Sequence, residues 1–162
     1  MKALIFAAGL GTRLKPLTDT MPKALVPING KPLLEHQILK MKKMGFDHLV
    51  INVHHFADQI IDFLSKNNNF GLKIDISDER NLLLETGGGV KKAASFFTDE
   101  KPFLIHNVDI LSNIDLQSFY TKNASKSLIS LLVIQLKTSR YLLFNEERRL
   151  VGWTNVQIGQ VK

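Results

Sequence analysis

Cysteine is absent from all 162 residues, which excludes a disulfide framework and a thiolate metal centre and fits a reducing cytoplasm, the expected compartment. No apolar run reaches the roughly 18 residues that a membrane span needs, so no membrane partner is expected. The apolar stretch at residues 1–8 is broken at Gly9 and followed by Arg13 and Lys15 instead of a cleavage site, so it reads as a buried strand and not an export signal. There is no internal repeat, low-complexity tract or Ser/Pro-rich linker, and we expect one domain over residues 1–162. What is present, 44% hydrophobic and 22% charged residues, is the composition of a globular chain with a core.

Acidic residues are scarce in one place. Residues 1–45 contain only Asp19 and Glu35 against eight lysines and arginines, and so carry the whole net charge of +6. A nucleic-acid surface would interleave such charge with aromatics. Here Phe6 is the only aromatic before Phe46. No nucleic-acid partner is expected; a compact anion such as a phosphate ester suits the segment better.

The order of apolar periodicities gives the architecture. Residues 2–8 form an apolar run ending in glycine, as in a strand covered on both faces. Leu34, Ile38, Met41 and Met44 then recur at helical spacing, with Pro32 at the start and Gly45 at the end. Residues 49–53 read as a strand, and Phe56, Ile60, Phe63 and Leu64 mark a helix face. Residues 72–76 read as a third strand, the glycines 87–89 as a turn leading into a short helix, and residues 103–106 as a fourth strand. A short helix over 116–120, a β-rich stretch over 128–136 and a hairpin with strands 141–144 and 150–153 complete the pattern. Strand and helix in alternation predict an α/β fold with a doubly wound, mainly parallel sheet, whose ligands bind beyond the carboxyl ends of the strands.

Immediately after the first strand come Gly9, Gly11, Thr12, Arg13 and Lys15, with Pro22 and Lys23 a short way on. Glycines let main-chain N–H groups converge on anionic oxygens, Thr12 adds a hydroxyl, Arg13 a planar fork and Lys23 a point charge. The set looks built for polyphosphate, against the plainer reading of a glycine turn with solvated charges. It is not a dinucleotide fingerprint, which needs glycine where Leu14 stands, nor a Walker A loop, which needs Gly-Lys-Ser/Thr.

Residues 7–18, AAGLGTRLKPLT, followed by PKALVP at 22–27 and GKPL at 30–33, resemble the signature of the sugar-1-phosphate nucleotidyltransferases, which join a nucleoside triphosphate to a sugar 1-phosphate and release pyrophosphate. LETGGG at 84–89 is most similar to the N-acetylmuramate-1-phosphate uridylyltransferase branch and to mannose-1-phosphate guanylyltransferase-like members. The resemblance implies a Rossmann-like, GT-A-like fold in which Ala8, Gly9, Gly11, Thr12 and Arg13 wrap the triphosphate, Arg13 neutralises departing pyrophosphate and Lys23 contacts the reacting phosphates. It places Glu85, Thr86, Gly87 and Gly88 against the nucleobase, with UTP or GTP favoured.

At 106–110, HNVDI, Asp109 matches the family's Mg²⁺-binding aspartate, so Arg13, Lys23 and Asp109 are the expected catalytic residues and Mg²⁺ the expected cofactor. Val108 departs from the family's glycine, and a side chain there is expected to alter the approach of substrate. Adjacent His54 and His55 would point to opposite faces of a strand and so cannot readily share one ion. Trp153 is expected in the core.

Family members continue past Val161 and Lys162 with elements that supply a second metal-binding aspartate, for which this chain offers no candidate, so the domain is expected to be incomplete at its C-terminus. The exposed sheet edge this leaves suggests a homo-oligomer. A non-catalytic nucleotide-binding or assembly module remains open as an alternative, and a basic RNA-binding domain ranks third.

Overall fold

The apolar pentapeptide Lys2–Phe6 forms β1, whose three middle residues are fully buried. The computed structural model describes residues 1–124 and 127–162, in two compact units, Met1–Leu128 and Ile129–Lys162. After β1 the chain makes three short 3₁₀ turns (Thr12–Leu14, Leu17–Asp19 and Lys23–Leu25) and a two-residue ladder of β2 (Pro27–Ile28) with β3 (Lys31–Pro32). Asn29 and Gly30, at φ 49° and 76°, turn that ladder as the backbone of a tight hairpin requires. Helix α1 (Leu33–Lys43) follows directly after Pro32, whose fixed φ suits a helix start, and Gly45 at φ 80° ends it in the left-handed conformation.

Then come β4 (His48–Val53), α2 (Ala57–Lys66), β5 (Lys73–Asp78), α3 (Glu85–Ala93), β6 (Phe103–Asn107) and α4 (Leu116–Asn123). The Asp115 carboxylate caps α4 by accepting the Ser118 N–H at 2.9 Å. The sheet order is β5-β4-β1-β6, and every pairing is parallel. Period-two alternation sends Ala3, Ile5, Leu49 and Ile51 into one apolar cluster with α1, α2 and α4, while Leu4 and Val50 share a smaller cluster with Ala93 of α3. All six residues of β4 are buried, as a strand covered on both faces should be. The sheet is doubly wound as expected. No helix among the described residues is long and apolar enough to cross a membrane.

Helix α1 holds Leu34, Ile38 and Met41 fully buried against this sheet. Truncating Ile38 to alanine is expected to lower the unfolding free energy by about 2–5 kcal/mol through lost burial and a residual cavity. A urea titration of the two proteins measures this.

The second unit is an antiparallel sheet, β7 (Arg140–Phe144), β8 (Leu150–Asn155) and β9 (Gln160–Val161), in that order. Its hairpin is the expected one, with the Asn145 N–H donating to the Arg149 carbonyl at 3.0 Å. Trp153 lies half-buried in β8, outside the buried core expected for it.

Two further expectations fail. Residues 128–136 adopt no strand, because an apolar run becomes a strand only where a neighbour completes its ladder, and the described residues place this run in no sheet; Leu128 is fully exposed. The glycines 87–89 lie inside α3 and not in a turn before it. Packing of α3 on β1, β4 and β5 overrides their poor helix propensity.

Candidate active site

From β1 the chain winds outward through β4 and β5, then returns to place β6 on the other side of β1. The strand order reverses between β1 and β6, and ligands of such sheets bind beyond the strand ends at that reversal. Two loops meet there, the one after β1 with the glycines and the one after β6 with Asp109.

Gly11 shapes the first loop. Its φ is 66°, and a Cβ placed on it would lie 2.8 Å from Thr18 Cγ2 and 3.1 Å from Lys23 Cβ, so both backbone and space demand glycine. Its carbonyl accepts the Thr18 hydroxyl at 2.9 Å and the Leu14 N–H at 2.8 Å. Gly9 faces open space, and Thr12 and Arg13 are exposed; Arg13 makes no hydrogen bond or ion pair among the described residues. Ala8 is buried, and its N–H donates to Asn52 Oδ1 at 3.2 Å beside the Ala7 N–H at 2.7 Å, so the amides free to meet a ligand begin at Gly9. A cleft of about 280 Å³ borders the loop, lined by Leu10, Thr12, Lys15, Thr18, Asp19 and His55. A larger hollow of about 490 Å³ beside α2 and β5 has no titratable side chain in its lining and offers no comparable chemistry.

Lys23, just behind Gly11, forms an ion pair with Asp109 across the two loops. Burial opposes ionisation of Asp109, but the hydrogen bond and charge of Lys23, helped by Arg13, outweigh it and hold the carboxyl below the usual carboxylate range. Helix α1 pins the loop that carries it. Gln37 Nε2 donates to the Ile110 carbonyl, and Lys40 Nζ donates to the Ser112 carbonyl and hydroxyl, each at 2.8 Å. Val108 does not obstruct the site as expected. It is buried in the core beside Leu104, because alternation along β6 turns Leu104, His106 and Val108 away from the exposed Ile105 and Asn107.

His106 is buried on the same side, and burial pushes its imidazole below the ordinary pKa against the opposing pull of the Asn107 carbonyl and of Asp109. A base with a depressed folded pKa binds its proton more readily when unfolded. Stability is therefore expected to be intact above roughly pH 6.5 and to fall as pH drops below it. Urea melts at pH 7.5 and 5.5 measure the loss, which His106→Gln should reduce.

Glu85 opens α3 at φ 58°; Glu85, Thr86 and Gly87 are exposed, and Gly88 is half-buried above Leu84. This segment does not touch Lys23 or Asp109 through any described hydrogen bond or ion pair. It is tied instead to the first loop by two residues that sequence reasoning passed over. Glu79, 1% exposed, accepts from Asn52 Nδ2 at 2.9 Å and from the Leu84 N–H at 3.2 Å. The signal was available: an amide inside the apolar strand 48–53 is a buried polar group that needs partners. His54 binds the Glu79 carbonyl through Nδ1 at 2.7 Å and the His55 ring lies against Phe56; both residues follow the end of β4 and do not lie in a strand as expected. No group of three His, Cys, Asp or Glu among the described residues could hold a metal ion.

Residues 2–141 match the family described as nucleotidyl transferase. The chain belongs to the nucleotidyl transferase family. Among its relatives, an N-acetylmuramate alpha-1-phosphate uridylyltransferase of Neisseria meningitidis serogroup B is 40% identical over 125 residues, covering 77% of this chain and 54% of that protein. The mannose-1-phosphate guanylyltransferase catalytic subunit beta of Danio rerio is 32% identical over 146 residues, covering 87% of this chain and 40% of its own. The crystal structure of HddC from Yersinia pseudotuberculosis complexed with GMP-PN is 25% identical with a TM-score of 0.74, over 99% of this chain and 70% of that one. The chain thus spans about half the length of the curated nucleotidyl transferase relatives it matches.

Proposed function

We propose that this chain takes part in joining a nucleoside triphosphate, UTP or GTP, to a sugar 1-phosphate, yielding a nucleotide-sugar and pyrophosphate. The observation that carries this reading is the meeting of the Gly11 loop, Lys23 and ionised Asp109 at the sheet reversal. The names of the relatives support it, since they pair a nucleotidyl group with a sugar 1-phosphate.

In this reading an oxygen of the sugar 1-phosphate attacks the α-phosphorus, a new P–O bond forms there, and the bond to the bridging oxygen of the β-phosphate breaks. Such transfer calls for positioning and charge neutralisation and needs no protein nucleophile. Amides of residues 9–13 hold the triphosphate, the Arg13 fork takes the negative charge that builds on departing pyrophosphate, and Lys23 holds the phosphates at the reacting centre. Glu85, Thr86, Gly87 and Gly88 lie along the base.

Asp109 fits Mg²⁺ of the kind shared with substrate. It is a lone ionised carboxylate already engaged by a cation, the Lys23 ammonium, and Mg²⁺ in phosphate sites takes one or two carboxylates and completes its shell with substrate oxygens and water. When bound, the ion neutralises phosphate charge. The lack of cysteine suits a reaction in the cytoplasm.

The test mixes the chain with Mg²⁺, each nucleoside triphosphate and the 1-phosphates of N-acetylmuramate, mannose and glucose, and measures pyrophosphate. We expect release that needs both substrates, with UTP or GTP preferred. Thermal denaturation in parallel should show stabilisation by the preferred nucleotide, roughly 2.7 kcal/mol at 100 times its Kd. Neither stabilisation nor release with any nucleotide would overturn the proposal.

A further inference from the structure

Building on the nucleotide-binding role proposed for residues 9–13 and 85–88, we infer that Asn52 and Glu79 form a buried latch that sets the two segments relative to each other. They are positioning residues. Asn52, at the carboxyl end of β4, is 2% exposed, and Glu79, just past β5, is 1% exposed. Between them they take three main-chain amides. Asn52 Oδ1 accepts from Ala7 at 2.7 Å and Ala8 at 3.2 Å, Glu79 Oε2 accepts from Leu84 at 3.2 Å, and Asn52 Nδ2 joins the two side chains by donating to Glu79 Oε1 at 2.9 Å.

Each bound amide stands at the threshold of a nucleotide segment. Ala8 precedes Gly9, the first residue whose amide is free for phosphate, and Leu84 precedes Glu85, the first residue of the base-side helix. One buried pair therefore sets where both segments begin. An apolar pair of similar volume would fill the same space without the desolvation penalty of a carboxyl group, so burial alone gives no reason for these residue types. Directional acceptance from main-chain amides does. Gly89 packs down on the same pair, where a Cβ would come within 3.0 Å of Glu79 Oε1, 3.2 Å of Phe6 Cε1 and 3.3 Å of Asn52 Nδ2, so an added methyl there presses on the latch.

The hydrogen-bond directions supply the test, because the pair can be exchanged. Asn52→Asp alone sets two carboxyl groups against each other, and Glu79→Gln alone leaves one donor facing another. Together they restore every bond: Asp at 52 accepts from Ala7, Ala8 and the new glutamine amide, and the glutamine oxygen accepts from Leu84.

Titration calorimetry of the full chain with UTP and GTP in the presence of Mg²⁺ measures affinity for the wild type, both single variants, the double variant and Gly89→Ala, with circular dichroism to establish folding. We expect each folded single variant to bind its preferred triphosphate roughly tenfold or more weakly, and the double variant to recover to within about threefold of wild type. Gly89→Ala, which keeps all the hydrogen-bonding groups and crowds the latch with one methyl group, should weaken binding in the same direction as the single variants, and decides the matter if those fail to fold. Wild-type affinity in the folded single variants, a double variant no better than either, or, where the singles do not fold, wild-type affinity in Gly89→Ala would overturn the latch while leaving the proposed function standing. A wild type that binds neither nucleotide would overturn both.

Discussion

Arg13→Ala is expected to lower pyrophosphate release by about 10²- to 10³-fold, the usual loss when one electrostatic contact to developing transition-state charge is removed. The side chain is exposed and makes no hydrogen bond or ion pair among the described residues, so its removal should leave the urea midpoint unchanged. That separation matters, since a catalytic loss without a folding loss assigns the guanidinium to substrate. Triphosphate affinity should fall further than affinity for the corresponding monophosphate, which lacks the pyrophosphate that the fork would hold. Arg13→Lys should recover only part of the rate, because an ammonium keeps the charge and loses the bidentate geometry. Steady-state rates and calorimetry on the three proteins measure both effects.

Asp109→Asn carries the second large expectation, a loss again of about 10²- to 10³-fold in rate together with a higher Mg²⁺ concentration for half-maximal activity. Asparagine keeps the size of the side chain and removes the charge that Lys23 and Arg13 stabilise. The Lys23 contact lies partly in water, where an ion pair adds little to folding, so thermal stability should change only slightly. A Mg²⁺ titration of the rate separates this from Arg13→Ala, for which the metal requirement should stay near that of the wild type. Because the folded pKa of Asp109 is held below the ordinary carboxylate value, the group stays ionised between pH 7 and 5. Loss of activity between pH 7 and 5 should therefore not arise from this group.

Much of the fold was legible because its determinants are local. The strand 2–6, the α1 stripe of Leu34, Ile38 and Met41, and the hairpin around Asn145 each carry their own periodicity or turn chemistry. Misreadings arose where tertiary context decides. Glycines 87–89 look like a turn in isolation and become helix only against the sheet, and residues 128–136 look like a strand but are placed in no sheet among the described residues. Val108 was judged by its position in a motif, whereas the period-two alternation of β6 places it with the core.

The site divides the same way. Glycines and cations close together in sequence announced the loop proposed to hold phosphate, but Asn52 lies on β4 and Glu79 just past β5, and their bonds to Ala7, Ala8 and Leu84 depend on a register that only the folded sheet provides. The bonds by which Gln37 and Lys40 hold the loop after β6 likewise join residues 73 and 72 positions apart, beyond the reach of local periodicity.

The central claim is that the turn after β1 grips a nucleoside triphosphate. A crystal structure of this chain with Mg²⁺ and a non-hydrolysable UTP or GTP analogue tests it most directly. The account predicts phosphate oxygens against the main-chain N–H groups of residues 9–13, with the Arg13 guanidinium and Lys23 ammonium in contact. An analogue bound with its phosphates elsewhere and that turn empty would contradict it.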